Sequence, residues 1–401
     1  MITLRVSPFV CIAAFLALLG AAPAPEVPLS GDDLFAAGNF DEAAAAYEKR
    51  LAATPNDPVA NAGLATIELY RDDLTAAKVN AIRALSVDPG NARAMGVAAE
   101  IQRRTDDWSR KSTIDGDLAV VPFVVTDPLP IVSVRIGSHD AQFVLDTGAP
   151  GVVLDPAFAK DLGLGAPPPA PRGKGPHAAR PSPPPAKMQL DSIAIGAATA
   201  YAVDVTIRPT RGMLVIPNVR IDGIIGTGLF ERFLTTIDYP NARLILRPRT
   251  DAVSAKVQDG AQSSGATIVP FWLAGDHFVI ARARVNDAPP GLFLFDSGLG
   301  GGVLPSPELV DAAHIKLDNA HAGVAVGGAG NMVAVPFVAH TIALGSTIEH
   351  DVPGIYTPEG SPITALPFTA EGVIAHDFLR KFSFTLDFTA MKLDFSAAAN
   401  A

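Results

Sequence analysis

The sequence predicts a mainly β protein: two pseudo-symmetric β-barrel lobes preceded by a small α-helical domain. Three observations predict it. The run Phe143-Val144-Leu145-Asp146-Thr147-Gly148-Ala149 is matched by Phe293-Leu294-Phe295-Asp296-Ser297-Gly298-Leu299, at an offset of 296 − 146 = 150. Three further blocks repeat at 149: Ile193 to Gly196 with Ile342 to Gly345, Asp222 to Gly226 with Glu371 to Ala375, and Phe233 to Tyr239 with Phe382 to Phe388. Ahead of these units, residues 31–106 carry a shorter period of 34, with Gly38 matching Asp72 (72 − 38 = 34) and Pro55 matching Pro89. Long repeats mean duplicated lobes and the short one a helical array.

Residues 1–24 read as a secretory signal peptide. Arg5 gives a positive start, Phe9 to Leu19 an apolar core, and Ala22-Pro23-Ala24 a small-residue cleavage site. The apolar run is short for a bilayer, so no stable membrane span is expected after cleavage. Cys11 is the only cysteine, which leaves the mature chain without a disulfide. A periplasmic or secreted location follows as an expectation. Over residues 31–110, Phe40 pairs with Leu74, Ala43 with Ala77 and Leu51 with Leu85. Small alanines at crossing points and a proline ending each unit resemble tetratricopeptide repeats. Two such units plus a helix from Ala92 to Arg103 bury little alone, so the array is expected to lean on the lobes or dimerise. It reads equally as a spacer or as a dock for a protein partner.

The first lobe spans residues 115–250 and the second 265–396, joined by a flexible linker at 251–264. Ile131 to Ile136 alternates as a half-buried strand, and Phe278 to Val285 does the same before an Asn286-Asp287 turn. Thr236 to Leu246 reads as a hairpin about Pro240-Asn241, and Thr385 to Phe395 repeats it. Short helices are expected at Pro156 to Leu162, Leu229 to Phe233, Pro307 to Ala313 and Asp377 to Phe382.

The chemistry lies in the two triplets. A carboxylate at the end of an apolar strand is costly unless something uses it. Two placed at equivalent points of a repeat suggest a pair built to meet. Close carboxylates cannot both ionise cheaply, so they share a proton and divide general-base and general-acid work between them. Gly148 and Gly298 suit a turn with unusual dihedrals or close backbone approach.

The paired hydrophobic-hydrophobic-Asp-Thr/Ser-Gly motifs resemble the aspartic peptidases, and the order of elements over residues 115–396 resembles the retropepsin-like fold. The resemblance implies that Asp146 and Asp296 are catalytic, that Thr147, Gly148, Ser297 and Gly298 support the active-site loops, and that the hydroxyls of Thr147 and Ser297 bind across the lobe interface. It implies that Ile224-Ile225-Gly226 braces the Asp146 loop. Alanine replaces that glycine at Ala375, which would narrow the space about Asp296. After the acid triplets stand Ala149 and Leu299, where pepsin-like enzymes carry Ser or Thr. Losing that donor should raise the carboxyl pKa values and favour mildly acidic to neutral pH. A flap is expected around Gly327, Gly328 and Gly330. Its first-lobe counterpart falls near residues 178–182, inside a proline-rich stretch at 167–185, and neither flap holds a tyrosine.

Other classes are poorly supported. The net charge is −10. Residues 265–396 hold 6 basic and 13 acidic side chains, and residues 115–250 hold 13 and 12. Neither half offers the basic face of a nucleic-acid binder. No His-Glu-x-x-His, P-loop or Gly-x-Ser-x-Gly pattern occurs, so neither a metal nor a cofactor is expected. His376 follows Ala375 beside the presumed pair, and both a structural role and tuning of the acids are open to it. The function expected is that of an exported aspartic endopeptidase acting on peptide or protein substrates. The rival is a non-catalytic peptide-binding or scaffolding protein that keeps the fold.

Overall fold

The computed structural model describes residues 29–109, 111–165, 188–211, 219–327, 330–358, 363 and 366–397. The expected leader, the proline-rich first-lobe flap and Gly328 lie outside the described residues. The chain opens with helices α1 (Gly31–Ala36), α2 (Phe40–Ala53), α3 (Pro58–Tyr70), α4 (Leu74–Val87) and α5 (Ala92–Ser109). Ser30 begins α1 with a capping box, Asp57 caps α3 ahead of Pro58, and Asp73 caps α4. Helix starts recur at 74 − 40 = 34 and 92 − 58 = 34 residues.

Each lobe is a twisted barrel-like sheet with the same path. In the first, the acid strand His139–Leu145 runs parallel to Gly223–Ile225, which lies antiparallel to Val152–Leu154. In the second, Gly291–Asp296 runs parallel to Gly372–Ala375, which lies antiparallel to Val303–Pro305. Apolar residues fill both strands of each pair because both faces are covered. Their side chains join one core that runs through both lobes.

A six-stranded sheet lies across the two lobes. Its order is Ala119–Val125, Arg243–Pro248, Phe233–Asp238, Phe382–Asp387, Lys392–Ala397 and Thr267–Ala274. At its centre Thr236 opposes Thr385, its own repeat equivalent at 385 − 236 = 149, and their hydroxyls hydrogen-bond at 2.8 Å. The pseudo-two-fold axis therefore passes between these two threonines.

The helices pack on the second lobe. Phe35, Phe40 and Tyr70 form one buried cluster with Trp272, Leu292, Leu294, Phe368 and Val373. The Thr369 N–H donates to the Ala36 carbonyl at 2.8 Å. Arg104, wholly buried on α5, pairs with Asp72 at 3.0 Å and donates to the Leu273 carbonyl at 3.2 Å.

Two expectations need correction. Residues 251–264 do not form a flexible linker: Asp251–Ser263 is a helix, capped by the Thr250 hydroxyl. Ser254 is buried and donates to Asp387 at 2.6 Å, so the helix is docked on the second lobe. Gly260 and the serines mask a segment otherwise rich in helix formers. The short helices after the bracing strands also begin earlier than expected, at Thr227–Phe230 and His376–Leu379. Phe233 and Phe382 already belong to the next strands.

Candidate active site

Asp146 directly follows the strand His139–Leu145, Asp296 ends Gly291–Asp296, and each carboxylate abuts the glycine of the opposite lobe's acid loop. Each is half-buried. The Gly148 N–H donates to Asp146 Oδ1 at 2.9 Å, and the Gly298 N–H to Asp296 Oδ1 at 2.8 Å. Neither glycine has a positive φ. What requires glycine is the closeness of the opposite acid: a Cβ on Gly148 would run into the Asp296 carboxylate, and one on Gly298 into that of Asp146.

Four hydrogen bonds bind the two acid loops reciprocally. The Thr147 N–H donates to Ser297 Oγ at 3.0 Å, and the Ser297 N–H to Thr147 Oγ1 at 3.0 Å. The Thr147 hydroxyl then donates to the Phe295 carbonyl at 2.7 Å, and the Ser297 hydroxyl to the Leu145 carbonyl at 2.9 Å. Both hydroxyl residues are fully buried. Each oxygen thus accepts from one backbone donor and satisfies one carbonyl of the other lobe. Neither loop can shift without leaving buried polar groups unpaired.

The lock brings the carboxyl groups within hydrogen-bond reach of each other. Asp146 is raised well above the usual carboxyl range, first by burial, then by the charge of Asp296 and by the hydrogen bond between them. Asp296 is raised too, by burial, and held back by the hydrogen bond from Asp146 and by the N–H groups of Gly298 and Leu299. The arrangement keeps one proton between the two carboxyls. The pair titrates as a unit.

The two departures from motif symmetry have structural reasons. From acid to helix-starting proline the first lobe spans 156 − 146 = 10 residues and the second 307 − 296 = 11. The extra length lies in Gly300-Gly301-Gly302, where Gly301 has φ +91°. In the first lobe a Cβ at Gly226 would clash with Ala149 and Gly151. In the second the longer loop makes room for buried Ala375, whose N–H donates to the Gly302 carbonyl at 2.9 Å. Leu299 packs against the aromatic cluster shared by the helices and the second lobe. Its side chain serves that contact, and a Ser or Thr there would forfeit it.

Of the expected flap, Gly323–Gly327 and Gly330–Leu344 form a hairpin in register to Gly327 opposite Gly330. Its cross-strand pair Val324 and Val333 is exposed, at 69% and 40%. Arg211 and Arg220 pair with the buried Asp222 at 2.8 and 2.7 Å. Sequence reasoning missed this because only the fold buries Asp222. Asp127, His376 and Asp377 converge elsewhere, but Arg380 already pairs with both acids at 3.3 Å, filling the place of a cation. A pocket of about 570 Å³ opens between the helices and the second lobe. It contains neither catalytic candidate, and its charged residues Asp32, Arg93 and Glu100 are already paired. Among the described residues no helix is long and apolar enough to cross a membrane.

Comparison with known proteins bears on the two lobes. A family model described as aspartyl protease matches residues 132–229 and 281–366, one stretch in each lobe and each containing its acid triplet. Among solved structures, the chain is similar to a retropepsin-like aspartic protease from Rickettsia conorii. The identity is 18%, over 35% of this chain and 94% of that one, with a TM-score of 0.24. No curated protein matches the chain. The family match supports an aspartyl protease fold for the lobes.

Proposed function

We propose that this chain is an exported aspartic endopeptidase that hydrolyses peptide bonds with water activated between Asp146 and Asp296. The observation that carries the reading is the reciprocal Thr147–Ser297 lock, which holds two proton-sharing carboxyls face to face. A structural pair would need neither the lock nor the cost of burying both acids.

In this reading the ionised acid of the pair takes a proton from water as the oxygen attacks the peptide carbonyl carbon. The protonated acid gives its proton to the carbonyl oxygen. The tetrahedral diol then collapses: one hydroxyl returns its proton to a carboxylate, the C–N bond breaks, and the amine leaves carrying the proton held by the other acid. The substrate is an extended peptide that pairs strand-wise with the 323–344 hairpin. Exposed Val324 and Val333 favour apolar side chains there. Export rests on the leader-like composition of residues 1–24.

The test is cleavage of a peptide library from pH 3 to 8 by wild type, Asp146→Asn and Asp296→Asn. Cleavage in wild type and its loss in both variants is expected. Folded wild type that binds but cleaves nothing would favour the scaffolding reading, and cleavage surviving both substitutions would displace the pair. With both carboxyls raised, the rate should peak at mildly acidic to neutral pH. A maximum below about pH 3 would contradict the proton-sharing arrangement.

A further inference from the structure

The offset of 149 pairs His376 with Thr227 (376 − 227 = 149) and Asp276 with Asp127 (276 − 127 = 149). Thr227 works inside its own lobe: its hydroxyl donates to the Thr147 carbonyl at 2.8 Å, and its N–H to the Ala149 carbonyl at 2.9 Å. His376 keeps only the backbone half of this role, donating its N–H to the Leu299 carbonyl at 3.0 Å. Its side chain crosses to the other lobe, where Nε2 lies 2.9 Å from Asp127 Oδ1. Asp127 begins the short segment to Pro130, whose carbonyl accepts from the N–H of Leu145 at 2.9 Å. The contact therefore joins a segment bonded to the Asp146 strand with a residue bonded to the Asp296 loop.

The surroundings of His376 are unlike those of a packing residue. The side chain is 1% exposed, and Nδ1 is buried with no hydrogen-bond partner among the described residues. That places the ring proton on Nε2, donating to Asp127. The Tyr239 ring meets it edge-on at 5.3 Å from the first lobe. Arg380 sits 3.3 Å from Asp127 and from Asp377, while Lys381 pairs at 2.6 Å with Glu349 on the strand packed against the same helix. Burying an imidazole with one nitrogen unsatisfied costs stability, and an apolar residue would pack there without that cost. The crossing to Asp127 is what the histidine adds.

We propose that His376 is a positioning residue: by clasping Asp127 across the lobe boundary, it sets how closely the Asp296 loop approaches the Asp146 loop. This rests on the two-acid reading above. Sharing of a proton weakens as carboxyls separate, so releasing the clasp lowers the upper pKa of the pair and moves the alkaline limb of activity toward acid.

The experiment compares His376→Ala, Asp127→Ala, their double variant and His376→Gln, whose amide keeps a donor near Nε2. Two quantities are read: kcat and KM against pH on a peptide that wild type cleaves, and titration of the Asp146 and Asp296 carboxyl carbons by NMR, which needs no turnover. Each alanine variant should lose about tenfold in kcat with little change in KM. Each should also lower the upper pKa of the pair by about one unit. The double variant should lose no more than Asp127→Ala alone, because that substitution already removes the His376 contact along with that of Arg380. His376→Gln should recover most of the rate. Unchanged titration in the alanine variants, or losses that add in the double variant, would overturn the clasp. If wild type cleaves no peptide, the hydrolase reading fails while the titration still decides the clasp. If His376→Ala does not fold, Asp127→Ala and His376→Gln decide it by the same titration.

Discussion

Thr147 and Ser297 each exchange two hydrogen bonds across the lobe boundary, all of them buried. Thr147→Val keeps the shape but leaves the Ser297 N–H and the Phe295 carbonyl unpaired. It should cost about 2–4 kcal/mol in urea unfolding, whereas Thr147→Ser should cost under about 1 kcal/mol. The glycines beside them are constrained by space. Gly148→Ala should fold but misplace Asp296, lowering cleavage far more than it lowers the melting temperature. The acids, hydroxyls and glycines were legible in the sequence because each motif is contiguous and the motif occurs twice. The clasp was not: His376 and Asp127 are 249 residues apart, and no local spacing joins a histidine after a bracing strand to an aspartate before a different one. The packing role of Leu299 was out of reach for the same reason, since its partners lie in the helices and other strands.

Among the elements, α2 and the 251–263 helix show how far the pieces depend on one another. Phe40 is fully buried at the start of α2, with ring centroids 5.4 Å from Trp272 and 5.0 Å from Phe368. Phe40→Ala should therefore destabilise the second lobe as well as the helices, by about 3–5 kcal/mol, in a single unfolding transition seen by both far-UV circular dichroism and, in a Trp108→Phe background, Trp272 fluorescence. Separate transitions would show that the helices are an independent unit. Strands and hairpins could be read from alternation and turn residues because those signals are local. The 251–263 helix escaped because much of what holds it, such as the Ser254–Asp387 contact, is tertiary. A 34-residue period announced the helices, but nothing in it named the lobe that covers their aromatic face.

At the scale of the whole molecule, three parts meet around buried charge. Arg249 of the first lobe donates to Asp72 of the helices at 3.0 Å, to the Phe388 carbonyl of the second lobe at 3.0 Å, and to the carbonyl of Glu231 at 2.8 Å. Burial pushes the Glu231 carboxyl up to about 7, against the pull of Arg104, Arg103 and Arg249. A carboxyl raised on folding favours the folded state while protonated, so its contribution is complete below about pH 4.5 and is lost as pH rises through about 7. Glu231→Gln should flatten the fall in stability over that window and gain on the order of 3 kcal/mol at pH 8, measured by denaturant unfolding at several pH values. The pairing of Thr236 with Thr385 has a consequence of another kind. Because the axis runs through one covalent chain, a substitution near one acid is not copied beside the other, as it must be in a dimer of identical subunits. His376 can stand where the opposite half has Thr227, and Leu299 where it has Ala149. The neighbourhood of the two acids has thereby acquired a direction, and a chain laid across it one way round meets different neighbours from the same chain reversed.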